Sequence, residues 1–215
     1  LTPFRFAINH NAILLQERRY CLKTLLTSIA EVRSGVAFRE AIRHDETAPI
    51  SVVQAGDIAA DGVVNTAGLL RVSVVPVQGD LPTLAAGEVL LQSRGQSYRA
   101  GVVPPHSEPM VATASVLVIT PGPAVRPGYL ALYLNEPTTQ AELRKLATGA
   151  TIANLKKSAL EHLEVLVPSL EDQERIVALG DTLRQQSRIE ARLAELRRIQ
   201  LRALLKERAE RNRGR

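Results

Sequence analysis

The chain has a single cysteine, Cys21, among 215 residues. No internal disulfide can form, which fits a reducing, cytoplasmic setting. Tryptophan is missing and aromatic residues make up only 3%, too few for the stacking platforms that hold single-stranded nucleic acid. No apolar run approaches the length of a bilayer span. No basic-then-apolar leader opens the chain. One cysteine cannot build a zinc cluster, and His10, His44, His106 and His162 stand at no metal-ligand spacing from one another. Gly-x-Ser-x-Gly elbows and phosphate loops ending in Gly-Lys-Ser/Thr are missing too. Asn135-Glu136-Pro137 is not the Asn/Asp-Pro-Pro-aromatic tetrapeptide of amino-methylating enzymes, and no glycine-rich cofactor loop accompanies it. Glu142-Leu143-Arg144-Lys145 has the Glu-x-Lys form of some nucleases, but it falls on a predicted helix with no matching acid on an upstream strand. The expectation is a chain without catalysis, cofactor or metal.

What is present suits a packed domain. Hydrophobic residues make up 45% of the chain, enough for a core. The length suits one sizeable domain with an appendage. The net charge of +5 is unevenly spread: from Leu170 on there are 12 Lys and Arg against 8 Asp and Glu, and before it 15 against 14. The first part is therefore not a uniformly basic body. If it binds nucleic acid, local clusters must do so.

Taken in order, Ile13, Leu14, Leu15, Leu22, Leu25 and Leu26, with Glu17, Arg18 and Arg19 between them, predict a helix over 12–27 capped by Asn11. Strands are predicted at 29–32, 50–53, 69–77, 88–92, 102–103 and 111–119. Ser34-Gly35, Gly56-Asp57, Asp61-Gly62 and a series of prolines punctuate them. Strands so closely spaced predict an antiparallel or mixed sheet, not a doubly wound one. After Pro127 the pattern predicts helices at 128–134, 138–146 and 154–160. Thr138 or Thr139 would cap the second, with Gly149 just past its end. Residues 163–167 read as a strand stopped by Pro168.

Two loops stand out. In 87–99 a strand leads into a glycine-flanked loop carrying Ser93, Arg94, Gln96, Tyr98 and Arg99. Arginine pairs bidentately with guanine and glutamine with adenine, while Ser and Tyr contact phosphate. An ordinary polar hairpin is the competing reading. In 148–157 a glycine turn enters a helix start carrying Thr151, Asn154, Lys156 and Lys157, either a phosphate site or a plain capped helix. Arg33, Arg39, Arg43 and Arg71 are further candidate contacts.

The last stretch is a long helix. Ser169 and Asp172 nearly form a capping box, and Glu171, Asp172 and Glu174 suit the positive end of a helix dipole. Only Gly180 interrupts the pattern before Gly214. Ile176, Leu179, Leu183, Ile189, Leu193, Leu196, Leu201, Leu204 and Leu205 fall in a stripe about 180° wide, broader than a two-stranded coiled-coil seam. A helix of about 40 residues is about 60 Å long. The preceding domain cannot cover all of that, so a partner chain is expected.

In order and spacing these features resemble the specificity subunit of type I restriction–modification systems, over about residues 25–205. The markers are Ser28-Ile29-Ala30-Glu31-Val32-Arg33-Ser34-Gly35, then Gly56-Asp57-Ile58 and Gly62, the strand and loop from Gly87 to Gly95, and Pro127-Gly128-Tyr129-Leu130-Ala131-Leu132-Tyr133-Leu134. The strongest marker runs from Gly149 to Val177: a glycine turn, a short helix, a strand, a proline, then Leu-x-x-Gln and the long helix. The resemblance implies an α+β fold. A mixed or antiparallel sheet with short helices would form a DNA target-recognition domain over 1–169. A coiled-coil-type spacer and dimerisation helix would follow over 170–215. It also implies sequence-specific binding of double-stranded DNA without catalysis, docking onto an adenine methyltransferase subunit, and docking onto a nuclease-translocase subunit. Full subunits carry two such domains and two such helices; this chain carries one of each. Residues 1–24 match poorly, and Pro168-Ser169-Leu170 stands where Pro-Pro-Leu is common. The chain is thus a half-subunit that dimerises or half of a longer subunit. The apolar stripe favours a homodimer with antiparallel helices, reading two inverted half-sites up to about 18 base pairs apart. The alternative is a coiled-coil adaptor whose globular domain binds protein.

Overall fold

The computed structural model describes residues 22–38, 44–73, 81–149 and 153–213, with side chains of the final helix as far as Lys206. The chain forms two compact units that divide between Glu174 and Arg175. Among the described residues the strands are β1 (Leu22–Leu25), β2 (Ala30–Ser34), β3 (Ile50–Val53), β4 (Leu70–Val72), β5 (Val89–Gln92), β6 (Ala100–Val102), β7 (Met110–Ala112), β8 (Val116–Pro121) and β9 (Glu164–Val167). The helices are α1 (Pro127–Asn135), α2 (Pro137–Leu146), α3 (Lys157–Leu160) and α4 (Leu170–Arg213).

Val89-Leu90-Leu91-Gln92 does not alternate between apolar and polar, as expected of a strand covered on both faces. All four residues are buried. This β5 lies inside an antiparallel sheet of order β2-β8-β5-β6. Val32, Ile119, Val89 and Val102 fall in one cross-strand row, the side-chain contact that stabilises a sheet. A second sheet, β4-β3-β7, pairs β3 antiparallel with β4 and parallel with β7. Leu90, Val116 and Val118 of the first sheet cluster with Val53, Met110 and Ala112 of the second, so one core lies between the sheets. On the other face of the first sheet, α1 packs against β5 and β6 and buries Leu130 and Leu134 completely. The architecture is the mixed-sheet α+β fold expected.

Several local expectations need correction. Within the predicted helix 12–27, residues 22–25 form β1, paired antiparallel with β9 from Leu22↔Val167 to Leu25↔Glu164; residues 12–21 lie outside the described residues. A strand partner supplied from 140 residues away outweighs a weak local helical period. The predicted strand 111–119 is two strands in different sheets. The break is a turn in which Val116 N–H donates to the Thr113 carbonyl at 2.9 Å and the Thr113 and Ser115 hydroxyls bond at 2.8 Å. The helix predicted at 154–160 begins only at Lys157, because the Asn154 backbone pairs with Thr148 instead. The cap of α2 is Glu136, not Thr138 or Thr139. Its carboxylate accepts the Thr138 hydroxyl at 2.7 Å and the Thr138 N–H at 2.9 Å, and these two bonds hold that carboxyl below its ordinary range.

The start of α4 is fastened within the first unit. Ser169 Oγ accepts the Asp172 N–H at 3.1 Å and donates to the Asp172 carboxylate at 2.7 Å. Gln173 is fully buried. Its carbonyl oxygen accepts the Arg126 N–H at 2.7 Å, and its amide donates to the carbonyls of Ala124 and Pro168, each at 3.0 Å. A buried amide is stable only when so satisfied, which explains why a glutamine stands at the end of the Leu-x-x-Gln marker. Arg126 also pairs with Glu174 at 2.8 Å, but both side chains are exposed, so that pair contributes little.

The second unit is the remainder of α4, a helix of 44 residues in all. Ten large apolar residues between Ile176 and Leu205 are 41–62% exposed. They are the nine predicted stripe residues plus Ile199. Intrahelical contacts such as Gln186 with Glu190 and Arg184 with Asp181 support its polar positions.

Candidate nucleic-acid interface

The two loops singled out from the sequence meet in the fold. Both turn on glycines with positive φ, Gly95 at 110° and Gly149 at 126°, a conformation open to glycine and costly for other residues. Leu155 N–H donates to the Ser93 carbonyl at 2.7 Å and Gly95 N–H to the Ala153 carbonyl at 3.1 Å. Arg94 and Asn154 pair across the junction. Asn154 in turn exchanges backbone bonds of 3.0 and 2.8 Å with Thr148. The result is a small backbone-linked patch that presents Arg94, Gln96, Lys156 and Lys157 to solvent. Arg94 and Lys156 are in no ion pair among the described residues, while Lys157 lies 3.6 Å from Glu161.

Other candidates stand elsewhere or inside. Arg99 is half-buried, with its carbonyl accepting from Gln92 N–H at 2.9 Å. Asn154 is also half-buried and serves the loop junction through its backbone. Tyr98 is fully buried, and among the described residues its hydroxyl has no hydrogen-bond partner. Burial raises its phenol pKa, and the positive charge of Arg144 works against that rise. Arg33 is occupied within the fold: it bonds both carboxylate oxygens of buried Glu88 at 3.2 and 3.0 Å and the carbonyls of Pro82 and Thr83. Arg71 is likewise held, by the Ala48 carbonyl and by Glu108, both at 2.8 Å. The charges of Arg33 and Arg71 are thus both engaged within the fold. Arg39, Arg43 and Thr151 lie outside the described residues.

The sequence reading passed over other basic and amide residues near Tyr98. Arg144 and Lys145 are exposed in the last turn of α2, and Arg144 is close enough to act on the Tyr98 phenol. Their sequence signal, a basic pair at a helix end, does not separate a ligand contact from a favourable dipole interaction. Asn135 and Gln140 reach the backbone of β6 and of Tyr98; nothing in their sequence context marks them.

Three of the histidines have hydrogen-bond partners in the fold. His106 bonds the Pro104 and Leu84 carbonyls, His162 the Ser158 carbonyl, and His44 accepts the Arg71 N–H; His10 lies outside the described residues. Among the described residues no group of three or more His, Cys, Asp or Glu is placed to hold a metal ion. Among them, too, no helix is long and apolar enough to cross a membrane.

A family model described as the type I restriction modification DNA specificity domain matches residues 25–198. Among solved structures, the chain is similar to the HsdS subunit from Thermoanaerobacter tengcongensis, with 19% identity and a TM-score of 0.59, over 78% of this chain and 38% of that one. It is also similar to a chain from a structure of complex assembly and conformational transition of the type I R-M system, with 21% identity and a TM-score of 0.61, over 84% of this chain and 44% of that one. These likenesses show the fold, and the chain spans about two fifths of the length of those two. No curated protein matches it in sequence.

Proposed function

Since the chain belongs to the type I restriction–modification DNA specificity family, we propose that it is the non-catalytic part of such a system that selects the DNA sequence. The observation that carries this reading is the joined patch of Arg94, Gln96, Lys156 and Lys157. It sets groups able to read base edges beside groups able to hold phosphate. Arg99 and Asn154 would support it from half-buried positions, and Arg144 and Lys145 would extend its positive field. An adaptor that binds only protein is disfavoured by the family membership.

The exposed apolar stripe of α4 supports a second part of the reading. An unpaired helix with this face needs a cover, and a twofold pairing of identical helices provides one. We assign that role to a second copy of the chain, with Ile176, Leu179, Leu183, Ile189, Leu193, Leu196 and Leu204 in the contact. A 44-residue helix is about 66 Å long. Two heads on antiparallel helices would therefore read inverted half-sites with an unread spacer between them. An adenine methyltransferase subunit would supply the chemistry, and a nuclease-translocase subunit would add cleavage. Measuring binding to a randomised duplex pool, with and without the methyltransferase subunit, tests the reading. Enrichment of one bipartite sequence supports it; no sequence preference in either condition refutes it.

A further inference from the structure

β6 ends the order of its sheet; on its outer side Val102 makes one isolated parallel bridge with Val63, and among the described residues no strand follows alongside Ala100 or the residues before it. On an edge strand alternate residues point N–H and C=O groups outward, where no further strand satisfies them. Here Arg99 turns inward, its carbonyl accepting from Gln92 N–H at 2.9 Å, and its neighbours Tyr98 and Ala100 turn outward. Two side-chain amides meet them. Gln140 accepts the Tyr98 N–H at 3.1 Å and donates to the Tyr98 carbonyl at 2.7 Å. Asn135 accepts the Ala100 N–H at 2.9 Å and donates to the Ala100 carbonyl at 2.7 Å. A primary amide offers its carbonyl oxygen and one of its two N–H donors side by side, as a single residue of a neighbouring strand offers its own C=O and N–H. Together the two amides therefore imitate a neighbouring strand. Gln140 also donates to the Leu134 carbonyl at 2.6 Å, which ties the end of α1 to the start of α2 at this point.

The clamp sits at one stem of the loop carrying Arg94 and Gln96. The other stem is fixed too, because Ser93 N–H donates to the Ser115 carbonyl at 2.9 Å and Ser93 accepts from Leu155. Between the stems only residues 94–97 remain, on a glycine with positive φ. Reading a base edge demands placement within about 0.5 Å; Arg94 and Gly95 are held to Asn154 and Ala153, while Gln96 and Ser97 run free from there to the Tyr98 stem and take their placement from it. We propose that Asn135 and Gln140 are positioning residues for sequence reading: they hold the stem so that Arg94 and Gln96 meet a base pair in one geometry. This inference rests on the DNA reading of the patch. A loose loop would still carry its charge to phosphate, so loss of the clamp should reduce discrimination more than general DNA affinity.

The test uses the full chain, a duplex enriched by it from a random pool, and a duplex of the same bases shuffled. The variants are Gln140→Met with Asn135→Leu, and Asn135→Leu alone in case the double variant folds poorly. Residue-resolved hydrogen exchange of Tyr98 and Ala100 checks the clamp without DNA. The expected result is exchange faster by about tenfold or more at these amides, with affinity for the enriched duplex lower by about tenfold and for the shuffled duplex changed by less than about twofold. Unchanged exchange would overturn the clamp. Faster exchange with equal losses on both duplexes would reduce these amides to edge cover and overturn the positioning role. Faster exchange in a protein whose wild type prefers no sequence would refute the DNA reading, and the positioning role with it, while leaving the clamp itself in place.

Discussion

Replacing Tyr98 with phenylalanine should stabilise this protein. The tyrosine side chain is fully buried, and among the described residues its hydroxyl has no partner. An unsatisfied buried hydroxyl costs about 1–3 kcal/mol of desolvation, and phenylalanine keeps the ring packing while removing that group. A gain of about 1–2 kcal/mol follows, or a rise of about 3–6 °C in the melting temperature of a unit this size. The pH dependence gives a second check. Burial raises the folded-state phenol pKa, with Arg144 opposing, so the folded state favours the neutral form. That contribution is fully present below the unfolded pKa of about 10 and is lost as pH rises through the higher folded value. Wild type should therefore lose stability faster than the variant above about pH 10. Thermal melts near neutrality and in this alkaline range measure both effects. A lower melting temperature for Tyr98→Phe would mean that the hydroxyl is satisfied and would refute the reasoning. DNA affinity should not change, because the hydroxyl is not at the surface.

Three further outcomes are expected. Replacing Lys156 and Lys157 with alanine should flatten the salt dependence of DNA binding by about 1.8 in the log–log slope, about 0.9 per phosphate contact; an unchanged slope in a titration over salt would remove both from the interface. Gln173→Ala should destabilise the first unit by about 3 kcal/mol, measured by urea unfolding, because three hydrogen bonds are lost and their buried partners left unsatisfied. On the proposed pairing of two copies through α4, wild type should sediment as a dimer and Leu193→Asp as a monomer with the helical signal largely retained; the same sedimentation coefficient for both would refute that pairing.

How much of this was legible depended on range. The strands expected at 50–53 and 88–92 match β3 and β5 almost residue for residue, because their apolar residues run together without alternation, as in strands covered on both faces. The segment 22–25 was not legible, since its partner β9 lies 140 residues away and a local leucine period mimicked a helix. The same limit explains the candidate contacts. Arg33 looked available until Glu88 appeared beside it, and Arg71 until Glu108 did; sequence shows a charge but not its distant partner. Tyr98 carried a plausible DNA chemistry, but the fold buries its side chain completely, and nothing local in the sequence shows that cover. The two glycine turns were legible, and so were the charges on them. Their junction through Ser93, Gly95, Ala153 and Leu155 was not, because it is made of backbone bonds that any residues could form. The glutamine of Leu-x-x-Gln was legible as a marker, and its three buried bonds supply the reason for it.

The most direct test of the central claim is the sequence that the full chain, alone or with an adenine methyltransferase subunit, enriches from a randomised duplex pool, mapped base by base with a footprint. The account predicts two inverted half-sites separated by an unread spacer, with protection on both. A single contiguous and asymmetric site, or no enrichment at all, would contradict it.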